Sequence, residues 1–372
     1  MVGNLPLVTI LMPVRNEAAF IERSLEAVLA QDYDHDRLEI VLIDGMSTDG
    51  TREYIRQVID SRRSRCGHAR LPPIRLLDNP SRIVPHSMNI GLSQSCGSII
   101  VRIDGHCLPA TDYVSRCVEA LMNSGADCVG GCIITAGATY TARAIAIAQS
   151  SIFGVGGAAF RVGVSSPQYV DTVAFGAYSR VVFERIGPFD EEMVRNQDDE
   201  LNYRLVHSGG RIWLDPSIGA TYYSRASLPR LFRQYFQYGF WKVRVMQKHP
   251  HQMRLRHFAP PAFVAALLAG TALTGVAAVG LKVLLVLLSV YAFANSVASL
   301  QAARRMGWRY VVLIPLAFAT LHLSYGSGFL VGLVRFWDRW GRKRGLSNAK
   351  PGMLHAVVKH IEPNRQADLA DE

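Results

Sequence analysis

The stretch "VRIDGH", residues 101–106, ends an apolar run on a bare carboxylate, Asp104, with His106 two residues on. Two earlier runs break into polar groups in the same way. Pro13, Arg15, Asn16 and Glu17 close and follow "LVTILMPV", and "DGMSTDGT", Asp44 through Thr51, follows "LEIVLI". If these runs are strands of a parallel α/β sheet, their carboxyl ends are where ligands bind. Glycines and short hydroxyl residues around two carboxylates suit a nucleoside, since an aspartate accepts from a base N–H or a ribose hydroxyl. No GxGxxG is present, which weakens a dinucleotide reading, and no GxxxxGK[ST], which removes the P-loop reading. Further on, Asp198, Asp199 and Glu200 precede the helical pattern Leu201, Leu205, Val206. Carboxylates favour helix N-termini, and that structural explanation suits Asp199 best.

The elements that must position these residues alternate along the chain. Strands are expected at 7–14, 38–44, 74–78, 98–104 and 125–133. Between them come helices: one after Asn16, which can cap it, carrying Phe20, Ile21, Leu25, Val28 and Leu29; one capped by Ser47 or Thr48; and two over about 83–95 and 111–123. Near-continuous apolar strands alternating with amphipathic helices imply an α/β fold, a doubly wound, mainly parallel sheet buried on both faces. Residues 61–73, "SRRSRCGHARLPP", read as an exposed loop, and the Gly-rich 150–163, "SSIFGVGGAAFRVG", as either a mobile loop at the site or a surface connection.

At 372 residues the chain exceeds one ordinary domain. Residues 258–281, 283–303 and 310–334 contain no Asp, Glu, Lys or Arg, and each has the ~20 residues a transmembrane helix needs. Charge divides at the same place: residues 1–222 hold 20 Lys+Arg against 25 Asp+Glu, and residues 223–372 hold 20 against 5. The expected organisation is a catalytic domain over 1–224, basic amphipathic interfacial helices over 225–257, a membrane-embedded region over 258–334 and a basic tail over 335–372. The acid-free stretch 228–258 interleaves Arg and Lys with Phe, Tyr and Trp, as interfacial helices do. Anionic lipid headgroups are therefore the expected partner and nucleic acid is not, because the charge lies beside apolar spans and carries no nucleic-acid motif. Positive charge at 301–309 and after 334 places both on the cytoplasmic side. This predicts two spanning helices, about 259–281 and 283–303, with 310–334 re-entrant or lying in the interface. "LPLVTILMPV" is too short and too poor in preceding basic residues for a signal peptide, so the N-terminal domain is expected in the cytoplasm. The six cysteines form no CxxC pair and are expected to be reduced.

"TILMPVRNE", "VLIDGMSTDGT", "GSIIVRIDGH", "GPFDEEMVRNQDDELNYRL" and "RQYFQYG", in that order and spacing, resemble a family 2 glycosyltransferase of the GT-A fold. The nearest subgroup is the membrane-bound exopolysaccharide enzymes typified by the succinoglycan glucosyltransferase, and the likeness covers about residues 6–245. It implies a Rossmann-like catalytic domain and inverting transfer of a hexose from a UDP-sugar at the inner membrane. Residue by residue, it places Pro13, Arg15 and Glu17 near the uracil or ribose and Asp44 on the base. Asp49 becomes a helix-capping residue, and Asp104 the first acid of a DxD motif meeting ribose and metal-bound diphosphate. Asp198 corresponds to the catalytic base, with Gln197 where Glu is usual. Gln234 to Tyr238 resembles a degenerate QxxRW in which Gln237 replaces Arg, so Gln234, Gln237 and Tyr238 join the nucleotide-sugar site. Asp171 matches a subgroup feature without an assignable role.

The chemistry suits this likeness. A nucleoside diphosphate leaves well when a divalent ion neutralises its charge. Asp104 supplies a hard oxygen and His106 a borderline nitrogen in the second DxD position, which shifts the expected metal from magnesium toward manganese; the other reading has His106 only hydrogen-bonding within its loop. Asp198 would take the proton of an acceptor hydroxyl. A membrane-side site makes a polyprenyl-diphosphate-linked saccharide the natural acceptor. Two further readings are a polyprenyl-phosphate monosaccharide transferase and a non-catalytic membrane scaffold of the same fold.

Overall fold

The computed structural model describes residues 5–66, 71–224 and 226–340. The basic tail from 341 onward and the centre of the 61–73 stretch lie outside the described residues. The chain opens as β1 (Val8–Val14), α1 (Ile21–Leu29), β2 (Leu38–Asp44), α2 (Thr51–Cys66), β3 (Ile74–Asp78), α3 (Val84–Gln94), β4 (Ile99–Arg102), β5 (Cys107–Pro109) and α4 (Tyr113–Ser124). It continues with β6 (Cys128–Ala136), α5 (Tyr140–Gln149), α6 (Ile152–Val155), α7 (Ala159–Val162), β7 (Gln168–Val170), β8 (Ala177–Ser179), α8 (Arg180–Ile186), α9 (Gln197–His207) and β9 (Ile212–Tyr223). Four long helices close it: α10 (Leu228–Lys248), α11 (Leu255–Thr274), α12 (Ala278–Met306) and α13 (Leu313–Arg335).

One sheet runs in the order β3-β2-β1-β4-β8-β6-β9-β5, with β7 added on β9. Its first half is parallel, and every residue of β1, β2 and β4 is buried, so apolar side chains on both faces pack under helices. One cluster gathers Ile10, Met12, Ile40 and Leu42 with Ile21, Leu25 and Ile55; the other joins Leu11, Val41 and Ile43 to Met88, Leu92 and Leu201. The second half departs from the mainly parallel expectation. β8 runs antiparallel between β4 and β6, and β5 and β7 run antiparallel to β9. The result is the mixed, Rossmann-like sheet of the GT-A fold. These strands have only three residues each, too short to show a hydrophobic period in sequence.

Two local expectations are corrected. Asn16 does not cap α1, which starts at Ile21 on Phe20 without a side-chain cap. Instead Asn16 takes a left-handed backbone (φ 54°), and its side-chain oxygen accepts from the Thr48 N–H at 2.9 Å, tying the loop after β1 to the loop after β2. Residues 61–66, expected as loop, continue α2; four arginines in 56–65 are tolerated on a solvent-facing helix.

α11, α12 and α13 are each long and apolar enough to cross a membrane. α11 and α12 pack as a hairpin, while α13 packs most extensively against α10 and also meets α11 and, in the N-terminal domain, α5. α13 is one unbroken helix, which removes the re-entrant hairpin from the options for 310–334. The glycines of α13 allow close approach to α10: a Cβ at Gly328 would lie 2.0 Å from the Phe236 carbonyl oxygen, and one at Gly332 2.6 Å from that of Phe240.

Candidate active site

A cleft of about 1830 Å³ opens at the carboxyl ends of β1 and β4 and runs under α9 and α10 to α11, α12 and α13. Of the residues singled out by sequence, Pro13, Arg15, Glu17, Asp104, His106, Asp198, Gln234, Gln237 and Tyr238 all line it. Asp44 does not. Its side chain is fully buried, bound to Ser47 and ion-paired with Arg52 at 2.9 Å, so it sits beneath the loop that walls the cleft. Asp49, also at the wall, receives the Thr51 and Ala18 N–H groups. Burial works against its charge, but these hydrogen bonds outweigh it and keep its carboxyl below the usual range.

Asp104 follows the last residues of β4 directly. Its two oxygens accept from Arg102 Nε at 2.8 Å and Nη2 at 3.2 Å. Burial alone would raise the Asp104 pKa, but the adjacent Arg102 guanidinium, with smaller help from His106 and Arg195, holds it below the ordinary carboxylate value. The third nitrogen of Arg102, Nη1, is buried without a partner among the described residues and lies 3.9 Å from Asp198 Oδ2. Arg102 thus stands between the two functional acids. Sequence reading passed over it because an arginine inside an apolar strand reads as an outward-facing residue.

His106 does not hang loose in its loop. Its Nδ1 lies 2.8 Å from Glu17 Oε1, and its ring meets the edge of Tyr222 at 5.0 Å. A carboxylate behind one imidazole nitrogen fixes the ring and leaves the other nitrogen as a ligand, the usual support for a metal-binding histidine. Asp104 and His106 are accordingly the pair that could hold a divalent ion, one hard oxygen donor and one carboxylate-backed nitrogen. Glu17, expected near the nucleoside, lines the cleft and through this contact also orients His106.

The three acids of "QDDEL" point three ways because successive helical residues turn by about 100°. Asp198 faces the cleft, one oxygen accepting the Asp199 N–H at 3.0 Å. Asp199 is ion-paired to Lys242 of α10. Glu200 is buried between Arg204 at 2.7 Å and His249 at 2.9 Å; burial opposes its charge, but these partners hold its pKa down. Asp199 lines the cleft too, but Lys242 holds its carboxylate, so Asp198 is the acid of the three with no ion pair closer than the 3.9 Å to Arg102.

α10 turns one helical stripe to the cleft: Arg230, Arg233, Gln234, Gln237 and Tyr238. Gln234 Nε2 donates to Tyr238 Oη at 3.0 Å and Tyr222 Oη at 3.3 Å, and Gln237 Oε1 accepts from Arg195 Nε at 2.9 Å. Asp171 ties the loop preceding β8 to the start of α11 through Arg254 at 3.0 Å and Arg256 at 3.5 Å. Of the eight buried side-chain polar atoms without a partner among the described residues, five belong to cleft residues: Arg102, Arg161, Gln197, Gln234 and Tyr325. Buried polar atoms are nearly always satisfied in folded proteins, so these five give the cleft hydrogen-bonding capacity that the described residues do not use.

Comparison with known proteins agrees with this geometry. The model of Glycosyl transferase family 2 matches residues 9–186. The succinoglycan biosynthesis protein ExoA of Rhizobium meliloti is 32% identical over 89% of this chain and 96% of its own length. A dolichyl N-acetyl-α-D-glucosaminyl phosphate 3-β-D-2,3-diacetamido-2,3-dideoxy-β-D-glucuronosyltransferase of Methanococcus voltae is 23% identical over 88% of this chain and 97% of its own. Among solved structures, the mannosyltransferase PcManGT of Pyrobaculum calidifontis, in complex with GDP-Man and Mn2+, shares the fold with a TM-score of 0.55 at 20% identity, covering 90% of this chain and 88% of that one.

Proposed function

The chain belongs to the family 2 glycosyltransferases, and from that premise we propose that it moves a hexose, glucose by its subgroup likeness, from a UDP-sugar to a polyprenyl-diphosphate-linked saccharide. The site would be the cytoplasmic face of the inner membrane, and the product a surface glycan such as an exopolysaccharide. One observation carries this reading: a single cleft joins Asp104 and His106, then Asp198, then an apolar wall of α11, α12 and α13. Donor, base and lipid-facing surface are continuous.

In this mechanism the acceptor hydroxyl oxygen attacks the anomeric carbon and the bond from that carbon to the phosphate oxygen breaks. The electron pair leaves with UDP, the hydroxyl proton passes to Asp198, and the anomeric centre inverts. A divalent ion at Asp104 and His106 would supply Lewis-acid neutralisation of the departing diphosphate. Arg102 keeps Asp104 ionised, Glu17 orients His106, and Arg195, held by Gln237, adds positive charge to the donor half. The free Asp198 favours a hydroxyl acceptor over a bare lipid phosphate, which is already anionic and has little need of a base.

Thin-layer analysis of lipid products from membranes supplied with labelled UDP-sugars tests the proposal. Label is expected in a lipid-linked saccharide, and only when a lipid-linked primer is present. Label in a polyprenyl-phosphate monosaccharide would establish the alternative transferase, and no labelled lipid with any nucleotide sugar would leave the scaffold reading.

A further inference from the structure

Arg161 is the one guanidinium in the cleft that is partly buried yet has no hydrogen-bond or carboxylate partner among the described residues, and its Nη1 is shut off from solvent. It sits on α7, in the Gly-rich stretch whose sequence suggested a loop at the site. Gly156 (φ 66°), Gly157 (φ 77°) and Gly163 (φ 89°) bracket the short helix with backbone that other residues rarely adopt. At close range the charge meets only rings, with Cζ 5.5 Å from the Phe160 centroid and 5.9 Å from that of Tyr222, while the Asp198 carboxylate acts on it from beyond ion-pair distance. An unpaired buried cation is costly and persists where something supplies the counter-charge. Across the same cleft, α10 presents Arg230 and Arg233, both exposed and neither with an acidic partner among the described residues.

The position of Arg161 identifies the source of that counter-charge. On one side, Tyr222 links it to His106 and the donor end. On the other, its stretch is fixed to the apolar half: the Phe153 carbonyl accepts from His322 Nε2 at 2.8 Å and the Phe153 ring meets Phe318 at 5.0 Å. One cleft is lined by the donor-side residues, by Asp198, by Arg161, Arg230 and Arg233, and by apolar residues of α11, α12 and α13. A lipid-linked saccharide carries the matching parts: a sugar hydroxyl, a diphosphate and a hydrocarbon chain. Resting on the glycosyltransferase reading, we propose that Arg161, with Arg230 and Arg233, forms a diphosphate-binding site for the lipid-linked acceptor, distinct from the donor diphosphate site at Asp104 and His106. Three guanidinium groups more than offset the two negative charges of a diphosphate esterified at both ends, and their forks suit its bidentate geometry.

The test uses the full chain in detergent, saturated with UDP and manganese, and farnesyl diphosphate as the probe, with farnesol and farnesyl monophosphate alongside. Farnesyl diphosphate is expected to bind without displacing UDP and more tightly than either control. Arg161→Gln and the double variant Arg230→Gln/Arg233→Gln should each weaken it by about tenfold or more, the worth of a lost charge-assisted hydrogen bond, while UDP affinity stays unchanged. Arg161→Lys keeps the charge but not the fork and should fall between; with the exposed double variant it decides the matter if Arg161→Gln does not fold. Competition of farnesyl diphosphate with UDP, or a parallel loss of UDP affinity, would assign these arginines to the donor. Unchanged probe binding in folded variants, or monophosphate binding as tightly as diphosphate, would overturn the site as described. Probe binding that depends on Arg161 in a protein transferring no sugar would sink the proposed reaction and leave the site standing.

Discussion

Asp198 and its neighbour allow chemistry to be separated from binding. Asp198→Asn keeps the shape of the side chain but removes the proton acceptor, so transfer should fall by the ~10²–10⁴-fold typical of a lost general base. UDP affinity with manganese should survive, the pattern of lost transition-state stabilisation. Asp199→Asn breaks the pair with Lys242 and should lower thermal stability while turnover is largely retained. If Asp199→Asn is the inactive variant and Asp198→Asn turns over normally, the base has been misassigned by one residue. Arg102 supports a second prediction, with a definite sign. Burial raises the Asp104 pKa and Arg102 more than reverses it; with Arg102→Gln the burial effect stands unopposed and the folded-state pKa rises. Metal-dependent UDP binding, which needs the carboxylate, should then be lost at a higher pH on acidification than in the parent protein. Titrating UDP affinity from pH 7 downward reads this directly, and superimposable acid limbs would refute it. Asp104, Asp198, Gln234 and Gln237 were legible among the cleft residues because acids and amides beside apolar runs have few structural reasons to be there. Arg102 and Arg161 were not, since the importance of Arg102 lies in its pairing with Asp104 and that of Arg161 in having no close partner among the described residues, and partners are a property of the folded chain.

Among the elements, α10 carries the site by way of α13. The stripe Arg230, Gln234, Gln237 and Tyr238 is aimed by the opposite face of α10, which rests on glycines of α13. Gly328→Ala places a methyl 2.0 Å from the backbone oxygen of Phe236, and backbone cannot swing aside as a side chain does. Overpacking of this kind typically costs ~1–3 kcal/mol. A lowered melting temperature should therefore come with reduced transfer, although residue 328 lies outside the cleft lining. Gly209→Ala is the control for glycine itself: it has left-handed backbone but open space around it, and it should cost stability without touching activity. The strands β1 to β4 and helices α1 to α4 were readable because each strand is a mainly apolar run and each helix follows in alternation with it. β5, β7 and β8 were not, because three-residue strands are defined by their partners. Asn16 shows the same limit at a helix start: a good capping residue in sequence, it is used to join two loops.

The whole molecule adds a constraint that hydropathy lacks. By composition, α13 is a third spanning helix, yet its contacts place it beside α10 in the same direction. Phe236 lies over Gly328, Phe240 over Gly332, and Phe240 and Trp241 stack on Phe336 beyond its end. At its start, Ile314, Ala317, Phe318 and Leu321 are buried with Ala144, Ile145 and Ala148 of the N-terminal domain. α10 carries Arg230, Arg233, Lys242, Arg244 and Lys248, too many charges for a bilayer core. A helix laid along α10 and pressed against the N-terminal domain is therefore expected to lie with them at the membrane surface. The charge pattern concurs: Arg304, Arg305 and Arg309 precede α13, and Arg335 and Arg339 close it, so both ends carry the cytoplasmic signal. α11 also packs on α13, its start is held to Asp171, and the end of α12 meets α5, but neither helix runs along α10 as α13 does. At 20 and 29 residues they are about 30 and 43 Å long at ~1.5 Å per residue, enough for a spanning hairpin whose tip is at 275–277. A topology reporter inserted at 276 is therefore expected outside and one fused after residue 350 inside. An extracytoplasmic signal from the second position would mean that α13 crosses the bilayer. The α10–α13 packing would then have to break in the membrane, and Gly328→Ala, which costs stability only while that packing exists, would become silent there.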